Sequence, residues 1–181
     1  DQQIDRIAKW VDTGAPLGNP ADMPPPMQFP DGSKWSYESE FGPPDLIVPT
    51  KPFTLPAHGQ DRWWRPIVPV GSTADRCIKA LAVKPSLKGR AAAHHANSDL
   101  MVLDEKTGQY AVLERVSEYA SGKTGEVVPA DGCRTLPANS MIKWDVHYWP
   151  YGEEVKDDVV ELGIWLYPPD HKEKAKYKQD L

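Results

Sequence analysis

At 181 residues the chain is long enough for one domain with a sizeable core plus extensions. Hydrophobic content of 40% is ordinary for a folded protein, mean hydropathy of −0.56 is too polar for a membrane protein, and no apolar run approaches the ~20 residues that cross a bilayer. The formal charge is −5 with both signs interspersed, a short basic tail apart, which excludes the basic face that nucleic-acid binding needs.

The chain starts at Asp1 rather than Met, as expected of a processed form or a piece of something longer, so a missing signal peptide says nothing about compartment. DQQIDRIAKWVDTGAP predicts a short amphipathic helix: Ile4, Ile7, Ala8 and Val11 fall at i, i+3, i+4 and i+7, and Gly14 followed by Pro16 stops it. Prolines then break any regular element, and residues 15–45 are expected to be an extended segment that lies along a domain or links two.

From Pro44 onward short strand candidates alternate with turn signals. They are LIV (46–48), WWRPIVPV (63–70), DRCIKALAVKP (75–85), AAAHHANSDLMVLD (91–104), YAVLERV (110–116), SMIKWDVHYW (140–149) and VVELGIWLYP (159–168). Many short strands with no long helical period between them predict an all-β fold, an antiparallel β-sandwich of jelly-roll type. The expected organisation is helix and Pro-rich linker over 1–45, sandwich over 46–168, and a charged tail over 169–181 that could begin a helix. Cys77 and Cys133 form no CxxC or CxxCH, which excludes a zinc knuckle and covalent haem attachment within this chain. Oxidised together they would close a loop worth about 4 kcal/mol, as in a secreted or periplasmic protein; two buried free thiols are the alternative.

MIKWDVHYW is the most legible strand. Ile142, Trp144, Val146 and Tyr148 share one face and belong in the core, whereas Lys143, Asp145, His147 and Trp149 share the other. PYGEEVKDD is expected to turn the chain into VVELGIWLYP as a hairpin, and His147 then faces away from the apolar side, a place suited to a ligand.

His94 and His95 are adjacent in a chain with five histidines. Successive residues of a flat strand point to opposite faces, so the pair can reach one metal ion only at a strand end or a bulge. Three neutral imidazoles, His94, His95 and His147, would suit copper or zinc with a position left open. The plain alternative puts the tandem pair at a strand end, one solvated and one hydrogen-bonded, with His147 an unrelated surface residue. Asp145 could orient an imidazole or be a solvated strand residue, and Asp157 and Asp158 are expected to terminate the turn. Of Trp63 and Trp64 one is expected to face the core. Met101 and Met141 could complete a copper site or fill core, and His58 and His171 are assigned to no metal. No Ser-His-Asp arrangement, Gly-rich phosphate loop or carboxylate dyad is discernible.

The order of motifs resembles the N-terminal domain of the type II copper, ascorbate-dependent monooxygenases, the family of peptidylglycine alpha-hydroxylating and dopamine beta-monooxygenases. The residues that carry the likeness are FTLPAHGQDRWWRPIVPV (53–70), DRCIKALAVKPSLKGRAAAHHAN (75–97) and LPANSMIKWDVHYWPYGEEVKDDVVELGIWL (136–166). The resemblance implies a sandwich in which His94, His95 and His147 hold one copper that delivers electrons to a second copper in a downstream domain. That second site uses an HxH motif and a methionine; no HxH occurs here, and Ala96 stands where the animal enzymes carry methionine. One copper that cycles without hydroxylating is therefore expected of this chain, in a periplasmic or extracellular protein, with zinc the alternative occupant. IDRIAKWVDTGAP, in turn, looks like the last helix of a bacterial cytochrome c domain, which would place a haem domain upstream as electron donor; an ordinary docking helix is the alternative. A different functional class stays open: a non-enzymatic sandwich that binds carbohydrate or a partner protein through Trp64 or Trp149, or only scaffolds its neighbours.

Overall fold

The computed structural model describes residues 1–26, 32–120, 122–123 and 125–171, together with the backbone of Ala175–Lys176. Residues 1–31 and 32–181 form two compact units. In the first, α1 (Gln2–Asp12) starts where the Asp1 carboxylate accepts from the Gln3 amide at 3.0 Å and satisfies one of the free N–H groups of the first turn. Thr13 donates back to the Lys9 and Trp10 carbonyls, and Gly14 at φ +87° ends the helix as expected. Ile4, Ile7, Trp10 and Val11 stay exposed. A 3-10 turn, Pro20–Asp22, interrupts the Pro-rich stretch, its first turn capped by Asn19.

In the second unit α2 (Glu38–Phe41) precedes the strands. Among the described residues these run β1 Leu46–Pro49, β2 Phe53–Leu55, β3 Arg62–Trp64, β4 Ile67–Pro69, β5 Arg76–Pro85, β6 Ala93–Asp104 and β7 Gln109–Ala120. They continue with β8 Gly125–Val127, β9 Gly132–Leu136, β10 Met141–Tyr148, β11 Val155–Asp158, β12 Val160–Leu166 and β13 Ala175–Lys176. One sheet has the order β1-β12-β5-β9-β13, with β8 also on β5; the other has β3-β10-β6-β7, with β4 also on β10. β11 and β2 form a two-stranded ribbon, and every pairing is antiparallel except β13 with β9.

The fold is thus the antiparallel β-sandwich that the strand pattern predicts. Leu81, Val83, Leu162 and Ile164 from the first sheet meet Leu100, Ile142, Trp144 and Val146 from the second in one core. β10 alternates as its sequence demands, with Ile142, Trp144, Val146 and Tyr148 all fully buried. β12 breaks the alternation and is buried almost throughout, because its outer face is covered as well. Trp35 and Tyr37 set their rings edge-on against Trp165, and Gly163 lets Trp35 approach: a Cβ there would meet the indole at 2.8 Å. The extended run expected over 15–45 therefore gives way, from Gly32, to a segment with its own short helix that packs on the sandwich.

Two further expectations change. β10 and β12 are not a hairpin: they lie in different sheets, and the chain between them crosses over as β11. The reason is burial within the connection, where Val155 and Asp158 are enclosed and β11 pairs with β2. Asp158 does not merely end a turn; its carboxylate accepts from the Tyr148 hydroxyl at 2.7 Å and from Ser86. WWRPIVPV is two strands rather than one, since Pro66 has no N–H to continue the ladder and its carbonyl accepts from the Trp144 amide.

Cys77 on β5 and Cys133 on β9 form a disulfide between neighbouring strands. Buried Arg134 on β9 reaches across to the Val116 carbonyl on β7 and to Glu114 and Glu126, tying the sheets together at that end. The helix suggested for the tail concerns residues largely outside those described; Ala175–Lys176 pairs as a strand. No helix among the described residues is long and apolar enough to cross a membrane.

Candidate metal centre

His147 stands near the end of β10, on the face turned away from the core. Directly opposite it are His95 on β6 and Trp63 on β3, so the three side chains form a row across adjacent strands. Beyond that row the register slips. Tyr148 lies opposite Ala93, which leaves His94 as an extra residue in β6. This is the bulge that the tandem pair requires: the alternation fails for one step, and His94 turns to the same side as His95. The tight turn before it sets the bulge, because the Ala92 and Ala93 amides both donate to the Gly89 carbonyl and the Trp149 amide donates to Ala92.

The three imidazoles converge. Their rings lie 4.9 to 5.4 Å apart between centroids, and each offers a nitrogen within 4.8 Å of the others. The Nδ1 atoms of His94 and His147 are 3.3 Å apart. Two nitrogens at that separation, each about 2.0–2.1 Å from one ion, subtend about 105–110° there, close to the tetrahedral angle. The group can hold a metal ion. His94 is exposed and the other two half-buried, so the cluster is open to solvent on its outer side.

Neutral imidazole is the form that ligates. Partial burial pushes His95 below its ordinary 6.5, and the neighbouring His147 and His94 push the same way, against the opposing pull of Asp145 and Glu118. The neighbouring imidazoles thus favour for His95 the uncharged state that a metal needs.

Residues around the cluster differ in part from those the spacing suggested. Asp145 is taken by Arg65, with Nε to Oδ1 at 2.8 Å, and is not the partner of an imidazole. The carboxylate on His147 is Asp61, whose Oδ2 lies 2.7 Å from Nε2. Trp63 stacks on His147 with centroids 4.2 Å apart and planes at 6°, and meets His95 edge-on. Neither Asp61 nor Trp63 carries a spacing signal toward His147, since the pairing of β3 with β10 spans more than eighty positions. Trp64 turns the other way, as expected of one of the pair: it stacks on Phe53 and donates to the Lys51 carbonyl at 2.9 Å. Met101 and Met141 face each other at the opposite end of the β6–β10 ladder, Met101 buried, and neither reaches the cluster. His58 is exposed in its loop, and His171 stacks on Tyr167 and bonds to Gly132.

No protein-family model matches the chain, and no curated protein does.

Proposed function

We propose that His94, His95 and His147 bind a single copper ion and that the sandwich is the electron-delivering domain of a larger copper-dependent monooxygenase-like protein. The observation that carries the reading is the bulge at His94, which brings a tandem pair and a histidine 53 positions away to one spot on one face. Imidazole donors favour copper over most divalent competitors, zinc being the main rival. Copper would supply one-electron cycling there, whereas zinc would be held without redox chemistry. The protein's own part is to hold the three imidazoles together at the end of one pair of strands, with His95 biased toward its neutral form. The motif order that resembles the type II copper monooxygenases supports this assignment, with oxygen and substrate handled at a second copper in a downstream domain and a cytochrome c-like domain upstream as donor. The Cys77–Cys133 disulfide suits a periplasmic or extracellular setting.

Titration with Cu(II), followed by electron paramagnetic resonance, tests it. One equivalent is expected to bind to the wild type with nitrogen hyperfine structure, and none to His147→Ala at the same concentrations. Equal binding by both proteins rejects the site.

A second reading rests on Trp149, 58% exposed just beyond β10: a non-enzymatic module that stacks this indole on a sugar ring or partner. Trp64, held against Phe53, offers no such platform. Glycan or partner binding that needs no metal and disappears in Trp149→Ala would favour it.

A further inference from the structure

Asp61 and Trp63 both contact the His147 ring, one at its Nε2 edge and one on its face. A neutral imidazole carries one N–H, and a carboxylate can only accept. With Asp61 Oδ2 2.7 Å from Nε2, the hydrogen of His147 belongs on Nε2, and its Nδ1 is left as a bare lone pair. That lone pair faces His94 Nδ1 at 3.3 Å. Without metal the order of donation is His94 Nδ1–H to His147 Nδ1, and His147 Nε2–H to Asp61. Turning the ring over would put carbon in place of both nitrogens and lose both bonds. Trp63, stacked parallel on the ring at 4.2 Å, holds its plane. Arg65 lies with its guanidinium 5.1 Å from the Trp63 ring centre and pairs with Asp145, so that carboxylate is already engaged and does not compete for His147.

We infer that Asp61 is a positioning residue that commits His147 to metal ligation through Nδ1, by taking the Nε2 hydrogen. This deepens the copper reading and rests on it for the word ligation; the tautomer itself does not depend on any ion. A carboxylate behind a ligating imidazole also raises the basicity of the nitrogen that faces the metal, and losing such a partner typically costs 10–100-fold in affinity. Were His94 to ligate through Nδ1 as well, its hydrogen would have to sit on the other nitrogen, on an exposed side chain where water can carry it.

The experiment has two readouts on wild type, Asp61→Ala, Asp61→Asn and a control, Asp145→Ala. In the metal-free proteins, long-range nitrogen–proton NMR on the imidazoles is expected to show His147 as the Nε2–H tautomer in wild type and control. In Asp61→Ala it is expected to show a mixture. Competitive Cu(II) titration of the same proteins is expected to give 10–100-fold weaker binding for both Asp61 variants and wild-type affinity for the control. Thermal melts confirm that each variant is folded. An unchanged tautomer in Asp61→Ala overturns the inference, as does a changed tautomer with unchanged copper affinity. If wild type itself binds no copper, the copper reading fails, and the NMR arm still decides whether Asp61 sets the tautomer.

Discussion

The two sheets share one core but treat their outer faces in opposite ways. On the β12–β5 sheet the outer face is closed: Trp35, Tyr37 and Phe41 cover Trp165, Ala80 and Ala82, and Lys84 sits over the Trp35 ring. On the β10–β6 sheet the outer face stays open at one end, and there the three histidines, Asp61 and Trp63 gather. The difference separates a face closed by packing from one that leaves ligating groups within reach of solvent. Aromatic cover removes apolar area from water and stiffens a sheet. Partly exposed imidazoles gain little from burial and instead stay within reach of an ion and of solvent.

Substitutions on the closed side should change stability and leave the site alone. The largest effect is expected from Trp165→Ala, which removes a 2% exposed indole, its bond to the Gly42 carbonyl and both edge-on contacts. A loss of ~3–5 kcal/mol in denaturant unfolding is expected, with metal stoichiometry unchanged wherever the protein remains folded. Next comes the disulfide. The bridge spans 56 positions, and replacing both cysteines by serine should cost about 4 kcal/mol on the chain-entropy model, again read by denaturant titration. A large loss of metal affinity in either variant, with the fold intact, would blur the division between the two faces.

On the open side the order reverses. Trp63→Leu should weaken copper binding several-fold, since the ring of His147 loses its parallel support, while stability changes by less than about 1 kcal/mol for a half-exposed residue. Calorimetric metal titration beside a thermal melt separates the two quantities. The smallest effect concerns pH. His95 titrates below its ordinary 6.5 in the folded protein, so the unfolded chain takes up a proton first as pH falls. The stability it contributes is complete above 6.5 and declines as pH drops through and below that value, and His95→Gln should flatten that part of the melting-temperature profile. A profile of identical slope in the variant would assign the pH dependence to other groups.

How far this contrast was legible beforehand depends on the range of each signal. The alternation in MIKWDVHYW placed His147 opposite the core because side-chain direction in a strand is a local property of the backbone. The tandem pair announced its own condition, a bulge or strand end, for the same reason, and the bulge is there. No hairpin joins the strands of residues 140–168, because Val155 and Asp158, loop-like by local pattern, are enclosed by the ribbon with β2. Asp145 was the carboxylate nearest to His147 in sequence, but Arg65 holds it, and Asp61 arrives through strand pairing.

Strand periodicity, turn chemistry and the need for a bulge or strand end at the tandem histidines were therefore set by the sequence alone, since each follows from steric preferences acting over a few residues. Tertiary structure decided which strands became neighbours, with what register, and so which carboxylate and which indole touch His147. Those choices depend on how two sheets bury their apolar faces against each other across more than a hundred residues, a balance that no short window contains.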